Sequence, residues 1–203
     1  ITLGGKSQDK FSEKAISRTE LTIPDGKASV ALNNTGKNLL YVRVVRTGTP
    51  LAGEERASKN GLNMAVSYEN LNHDPIDPKR IEQGTDFIAE VTVSHPGILG
   101  PYYQLALTQV FPGGWEIRNS RMEGNENGTA SDYFTYQDIR DDRVMTYFDL
   151  YKGRSVTYRL MMNAAYTGRY YLAGAHCEAM YDHTVNGRSQ GQWIEVVKPG
   201  RAQ

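Results

Sequence analysis

The chain has 203 residues, of which 39% are hydrophobic, enough for one large domain or two small ones. Its 23 Lys and Arg residues balance 23 Asp and Glu residues, so no basic excess exists to attract a phosphate backbone. This balance argues against nucleic acid as a partner. Cys177 is the single cysteine, which excludes an internal disulfide.

The beginning of the chain carries neither an initiator Met nor a basic region followed by an apolar one. No apolar run approaches the roughly 18 residues that a membrane-spanning helix needs. We therefore expect the chain to be a piece of a longer protein, with any export signal or lipid anchor lying upstream.

Apolar and polar side chains alternate with a period of two along much of the chain, which is typical of strands buried on one face. In chain order, strands are predicted at 28–32, 39–45, 62–69, 87–94, 104–108, 144–150, 158–162, 170–175 and 193–197. Turn signals such as Lys152-Gly153 and Thr167-Gly168 separate them. Many short strands with frequent turns predict an all-β, antiparallel fold. Strand order alone does not separate a sandwich from a barrel, and we favour the sandwich.

A domain boundary is predicted between Gly48 and Gly61, where the chain is charged, small and turn-prone. The roughly fifty residues before it hold about four predicted strands, which is small for an independent core. We therefore expect residues 1–55 to be part of a larger β domain and residues 56–203 to form the main sandwich.

His176, Cys177 and Glu178, with Asp182 and His183 nearby, are the residue types that bind zinc. Adjacent residues of a strand point to opposite faces, so His176 and Cys177 cannot reach one ion. The same geometry denies Cys177 a neighbouring histidine base for nucleophilic catalysis. We predict a buried cysteine, a surface histidine, and neither a metal nor another cofactor.

A second cluster, at 137–143, places Asp138, Asp141 and Asp142 beside Arg140 and Arg143. Paired carboxylates serve general acid–base catalysis when burial raises one pKa. Here each carboxylate has an arginine beside it, which favours the ionised form. The cluster therefore predicts a charged turn, tied by Arg–Asp contacts, that leads into the strand at 144–150.

The run Pro112-Gly113-Gly114-Trp115 contains two glycines but lacks both the G-x-G-x-x-G pattern and a following Lys-Ser or Lys-Thr. It is predicted to be a turn after a strand, not a phosphate-binding loop. We expect Trp115 to return to the core.

Three segments in order resemble the last macroglobulin domain of bacterial alpha-2-macroglobulins. They are a strand followed by the Pro-Gly-Gly-Trp turn at 105–117, R-D-D-R-V at 140–144 with the strand after it, and the closing strands with E-A-M-Y at 178–181. Their order and spacing agree across residues 60–198. The resemblance implies a macroglobulin-like β-sandwich.

The resemblance also implies that residues 1–55 are the second half of the preceding CUB-like domain, which a helical thioester-type domain interrupts. It implies a parent protein that inhibits or traps peptidases and is exported to the periplasm or cell envelope, where members of the family are often lipid-anchored. The thioester motif C-x-E-Q is absent from this chain. By position in the family, Met180 and Tyr181 would be the loop residues that pack against the helical domain and exclude water from the reactive bond.

The leading hypothesis is thus a non-catalytic structural and interaction module. Its alternative is a carbohydrate-binding β-sandwich, since the chain has 13 tyrosines and two tryptophans; the strand alternation, however, predicts that most of these rings are buried. A hydrolase using Asp141 and Asp142 has the least support.

Overall fold

The computed structural model describes residues 2–3, 6–7, 13–20, 30–45, 51–118 and 130–200. Within these ranges the regular structure is β-strand throughout, without a helix. The described residues accordingly contain no helix long and apolar enough to cross a membrane. The chain divides into two compact units, residues 1–48 and residues 49–203.

The described strands number sixteen. In chain order they are β1 (Thr2–Leu3), β2 (Lys6–Ser7), β3 (Val30–Ala31), β4 (Ser58–Asn60), β5 (Asn63–Glu69), β6 (Arg80–Glu82), β7 (Asp86–Ser94), β8 (Tyr102–Val110), β9 (Trp115–Arg118), β10 (Tyr136–Ile139), β11 (Arg143–Leu150), β12 (Ser155–Ala164), β13 (Gly168–Leu172), β14 (His176–Ala179), β15 (Asp182–Arg188) and β16 (Gln192–Val197).

The first unit contains a small antiparallel sheet of two-residue strands in the order β2-β1-β3. The strand predicted at 28–32 lies partly outside the described residues, and its described part contains β3. The prediction of a strand at 39–45 is wrong. These residues have no regular secondary structure, and their side chains are exposed, as at Tyr41 (87%). An apolar run becomes a strand only where a partner strand pairs with it, and no described strand pairs with this one.

The second unit is a β-sandwich. A four-stranded sheet, β5-β7-β12-β9, forms one layer. The other layer contains a six-stranded sheet, β10-β11-β8-β14-β15-β4, and a three-stranded sheet, β13-β16-β6. Every pairing is antiparallel except that of β16 with β6. The prediction of an all-β antiparallel sandwich is confirmed.

Two clusters of buried side chains fill the space between the layers. One includes Leu107, Phe148 and Tyr158, and the other includes Phe87 and Trp115. The predicted two-residue alternation is confirmed along β11, where every second side chain is buried. The alternation fails at Phe87 and Ile88, which are consecutive and point to opposite faces of the sheet but are both fully buried. Ile88 pairs in register with the buried Met161, so these two apolar side chains shield each other.

The turn predicted at Pro112-Gly113-Gly114-Trp115 is confirmed. The Trp115 backbone N–H donates to the Pro112 carbonyl oxygen at 2.9 Å. Trp115 is 3% exposed and meets the Phe87 ring edge-on, with centroids 4.8 Å apart. Gly114 faces Tyr170, whose ring would lie 2.3 Å from a Cβ added at position 114.

Because of this contact, alanine substitutions at Gly114 and at Gly113 should have different effects on stability. Gly114→Ala should destabilise the fold by roughly 1–3 kcal/mol, because the new methyl group forces the partly buried Tyr170 ring to move. Gly113→Ala is the matched control: apart from its own chain neighbours nothing lies within 4 Å of its Cβ position, so we expect a change within about 0.5 kcal/mol. Urea denaturation of both variants measures the difference, and equal midpoints would contradict this packing.

Candidate functional site

The two predicted site residues form the turn between β14 and β15. Met180 and Tyr181 lie between Ala179 and Asp182, which pair across the hairpin. Met180 is 53% exposed and Tyr181 is 82% exposed, so both side chains project from the end of the sandwich. The Met180 backbone N–H donates to the carbonyl oxygen of Gln104 at 3.1 Å, which ties the turn to the start of β8.

An irregularity in β15 supports this turn. Glu178 pairs with Asn186 while its neighbour Ala179 pairs with Asp182, so three residues of β15 have no partner on β14. Asp182 Oδ1 accepts hydrogen bonds from the Thr184 hydroxyl (2.6 Å) and the Thr184 backbone N–H (3.0 Å). These hydrogen bonds lower the pKa of the Asp182 carboxyl below its usual range, and the bond from the hydroxyl has the larger effect. The hydrogen bonds between Asp182 and Thr184 therefore fix the start of β15, directly after the turn.

Further apolar side chains are exposed at the same end of the sandwich. Tyr102 pairs with Leu150, which brings Tyr103 and Tyr151 to this end. The loop at 95–101 leads into β8 and carries two more exposed apolar residues. We call this set the apolar end: Ile98, Leu99, Tyr103, Tyr151, Met180 and Tyr181.

His95 holds the loop of the apolar end. Its Nδ1 accepts the Gly97 backbone N–H at 2.9 Å, which places the ring proton on Nε2, and Nε2 donates to the Gly100 carbonyl oxygen at 2.8 Å. The imidazole also stacks on Tyr102 with ring centroids 4.2 Å apart. The sequence prediction missed this loop, although a Pro-Gly-Ile-Leu-Gly-Pro run at 96–101 is a signal for an exposed apolar turn.

The residues considered as zinc ligands or nucleophile are separated by the sheet. Cys177 is fully buried in the core, and burial, followed by the charge of Glu178, raises the pKa of its thiol to about 12. His176 lies on the opposite face, with Nε2 4.0 Å from Glu178 Oε2. The predicted separation of His176 and Cys177 is confirmed. Among the described residues, no group of three or more His, Cys, Asp or Glu side chains could hold a metal ion.

The acidic cluster at 137–143 is the predicted turn between β10 and β11. Arg143 binds Asp142 through Nε (2.9 Å) and Nη2 (2.6 Å), and Arg140 Nε lies 2.9 Å from Asp138 Oδ2. The Arg143 guanidinium lowers the pKa of Asp142. A carboxylate so held accepts no proton near neutral pH, which fits the structural interpretation.

The prediction that most aromatic rings are buried is wrong for tyrosine. Only Tyr102 and Tyr158 among the 13 tyrosines are buried, and seven are exposed: Tyr41, Tyr103, Tyr133, Tyr136, Tyr151, Tyr166 and Tyr181. Tyrosine keeps its hydroxyl in water while its ring packs beside a neighbour, so a place in the alternation does not force burial. The Tyr136 and Tyr147 rings pack beside each other in this way on the outer face of the six-stranded sheet, with centroids 5.9 Å apart.

The chain is similar to known proteins along most of its length. The family model of the bacterial alpha-2-macroglobulin MG10 domain matches residues 61–183. An alpha-2-macroglobulin homolog of Yersinia pestis is 24% identical over 200 residues, which cover 86% of this chain and 10% of the relative.

Solved structures agree on the fold. Salmonella alpha-2-macroglobulin reacted with methylamine superposes with a TM-score of 0.62 at 20% identity, over 71% of this chain and 10% of that one. Native Escherichia coli alpha-2-macroglobulin superposes with a TM-score of 0.63 at 15% identity, over 75% and 10%. The chain thus spans about a tenth of the length of these relatives. By the match of residues 61–183, this chain belongs to the bacterial alpha-2-macroglobulin family and contains its MG10 domain.

Proposed function

We propose that the chain is a non-catalytic structural and interaction module of a bacterial alpha-2-macroglobulin-like peptidase inhibitor. In this proposal it docks through the Met180–Tyr181 turn on the helical, thioester-type domain of the same polypeptide. Residues 1–55 would be the second half of the CUB-like domain that precedes it. The main support for the proposal is that the side chains of Met180 and Tyr181 are exposed at the tip of the β14–β15 hairpin.

The physical chemistry of the apolar end favours a protein partner. Exposed apolar side chains gathered on one surface mark interaction sites, and tyrosine and methionine are enriched in the interfaces of proteins. A flexible thioether fits irregular apolar surfaces, and a tyrosine ring buries a large area with few rotatable bonds. The hydrogen bonds of Asp182 reduce the entropy that ordering the turn would cost on docking.

The partners follow from the family. Two of the similar structures are of Escherichia coli alpha-2-macroglobulin activated by porcine elastase and by trypsin. By analogy, peptidases would be the targets of the parent protein of this chain. The parent would work in the periplasm or cell envelope, where it meets such enzymes.

The docking proposal is tested in the full-length protein that contains this chain. Met180→Ala combined with Tyr181→Ala should loosen the contact with the helical domain, because both exposed apolar groups are removed. Limited proteolysis should then release the domains severalfold faster than in the wild type. The domain itself should remain folded, since substitutions of exposed side chains change stability by about 0.5 kcal/mol or less.

Tyr166→Ala is the matched control. Tyr166 is 56% exposed but follows β12, whose first residue, Ser155, pairs with Ser94 next to the apolar end. Position 166 therefore lies at the other end of the sandwich, and this variant should be digested like the wild type. An unchanged digestion pattern in the double variant would count against docking through the turn.

Carbohydrate binding is a second candidate, favoured by the exposed Tyr136 ring beside the half-buried Tyr147 ring on the outer sheet face. Sugars stack on such rings, whereas the docking proposal requires no glycan. A glycan array without binding would remove this candidate.

A further inference from the structure

The segment that precedes β4 lies against the three-stranded sheet. At its start, the Glu54 backbone N–H donates to the Leu51 carbonyl oxygen at 2.9 Å, which closes a turn. Gly53, the third residue of this turn, has a φ of +92°, in the left-handed region that a type II turn requires there. A Cβ added at Gly53 would lie 3.1 Å from Nε1 of Trp193. The backbone of the turn therefore lies directly against the edge of an indole ring.

A second contact holds the same segment. Glu55 is half-buried, although its neighbours Glu54 and Arg56 are exposed. A Cβ added at Gly191 would lie 2.9 Å from Glu55 Oε2 and would collide with the Tyr171 hydroxyl, so both side chains converge on the space above Gly191. Burial raises the pKa of the Tyr171 hydroxyl, and the Glu55 carboxylate adds to this effect. The segment thus contacts both strands of the β13–β16 pair.

The sheet holds the Trp193 ring from two further sides. The Tyr171 ring meets it edge-on, with centroids 5.5 Å apart, and the guanidinium carbon of Arg169 lies 4.6 Å from the centroid of the Trp193 ring. The next residue of β16, Ile194, is buried in the core, so Trp193 points outward, and it is 43% exposed. The ring therefore offers the segment a fixed surface on the outer face of the sheet.

The segment itself is weakly held. Leu51 is 71% exposed, and Gly53, Glu54 and Arg56 are exposed as well. A segment that buries little apolar surface opens locally at a much lower free-energy cost than the strands of the core. It can therefore leave Trp193 while the sandwich stays folded.

We propose that residues 51–56 form a strap that closes and opens on Trp193, and that the closed strap shields the start of the sandwich from peptidases. Arg56 is a cleavage site for trypsin-like enzymes, but such enzymes bind several residues on each side in an extended form. The turn at Gly53 and the contact of Glu55 prevent that form, so cleavage waits until the strap opens. Trp193 is the positioning residue of this device.

Trp193→Ala tests the strap in the full-length protein that contains this chain. Loss of the indole ring should raise the rate of hydrogen exchange in residues 51–56 about tenfold, the usual effect of a lost aromatic contact. Trypsin cleavage after Arg56 should accelerate by about the same factor, because both processes need the open strap. Mass spectrometry measures both rates. Exchange in β7 and β12 should stay unchanged, which distinguishes an open strap from an unfolded sandwich.

Gly53→Ala and Gly84→Ala form a matched pair of variants. The two glycines have similar positive φ angles, +92° and +86°, so an added Cβ strains both backbones. Only the Cβ at Gly53 also presses on Trp193, whereas at Gly84 nothing but the chain neighbours lies within 4 Å. Gly53→Ala should therefore open the strap as Trp193→Ala does, and Gly84→Ala should leave both rates at their wild-type values. The pair separates opening of the strap from a general loss of stability.

Two results would overturn the proposal. One is exchange of residues 51–56 in the wild type at the rate of an unfolded peptide, and the other is an unchanged rate in either Trp193→Ala or Gly53→Ala. If Trp193→Ala unfolds the sandwich, the glycine pair decides. The strap does not depend on docking through the Met180–Tyr181 turn, so the two proposals stand or fall separately.

Discussion

Phe87→Ala should lower the free energy of unfolding by about 3–5 kcal/mol, the usual cost of replacing a buried aromatic ring by a methyl group. Phe87 is fully buried, and its ring contacts Trp115 and Tyr68, with centroids 4.8 Å and 6.4 Å away. Both neighbours belong to strands held in the four-stranded sheet, so they cannot close the space left behind. The melting temperature should fall by roughly 10–15 °C for a protein of this size.

Urea denaturation and thermal unfolding measure this effect. Tyr133→Ala provides the control, because Tyr133 is 85% exposed and only its backbone oxygen is used, as the acceptor of the Tyr158 hydroxyl. It should change stability by about 0.5 kcal/mol or less. A loss below 1 kcal/mol for Phe87→Ala would show that this cluster is not packed as described.

Cys177 should react with thiol reagents about a thousandfold more slowly in the folded protein than after denaturation. Burial raises its pKa from 9.0 to about 12, so at pH 8 the reactive thiolate falls from about one molecule in ten to about one in ten thousand. Its complete burial adds a steric barrier. Timed labelling with and without denaturant measures the ratio, and rapid labelling of the native protein would contradict the position of Cys177 in the core.

The same shift predicts how stability depends on pH. The folded pKa lies above the unfolded one, so below pH 9 both states keep the thiol proton and the effect on stability is constant. Above pH 9 the unfolded state loses the proton first, and stability falls as the pH rises toward 12. Between pH 8 and pH 10 the loss from Cys177 should be on the order of 1 kcal/mol. Cys177→Ala should remove that part of the slope, whatever its effect on stability at neutral pH.

Local sequence patterns predicted much of the sandwich because they depend on geometry within one strand. Alternation along β11 predicted which side chains face the core, and the same rule predicted that His176 and Cys177 lie on opposite faces. The Pro-Gly-Gly-Trp turn predicted the return of Trp115 to the core. The family resemblance, carried by three motifs in order, is confirmed by the match of residues 61–183.

The sequence predictions that were wrong share a different cause. The run at 39–45 alternates like a strand but has no described partner, and Ile88 is buried because Met161 happens to pair beside it. The strand predicted at 170–175 ends at Leu172, because the backbone of Gly174 lies close against that of Ser189. Each outcome depends on residues distant in the chain, which a period of two cannot reveal.

The amino-acid order alone was enough for the all-β class, the inward faces of most strands and the family, since each follows from neighbours two residues apart or from short motifs. Pairing of distant strands decided the rest: the exposure of the tyrosines and the gathering of Tyr103, Met180 and Tyr181 at one end. These features are properties of packing between elements, and they exist only once the layers have come together.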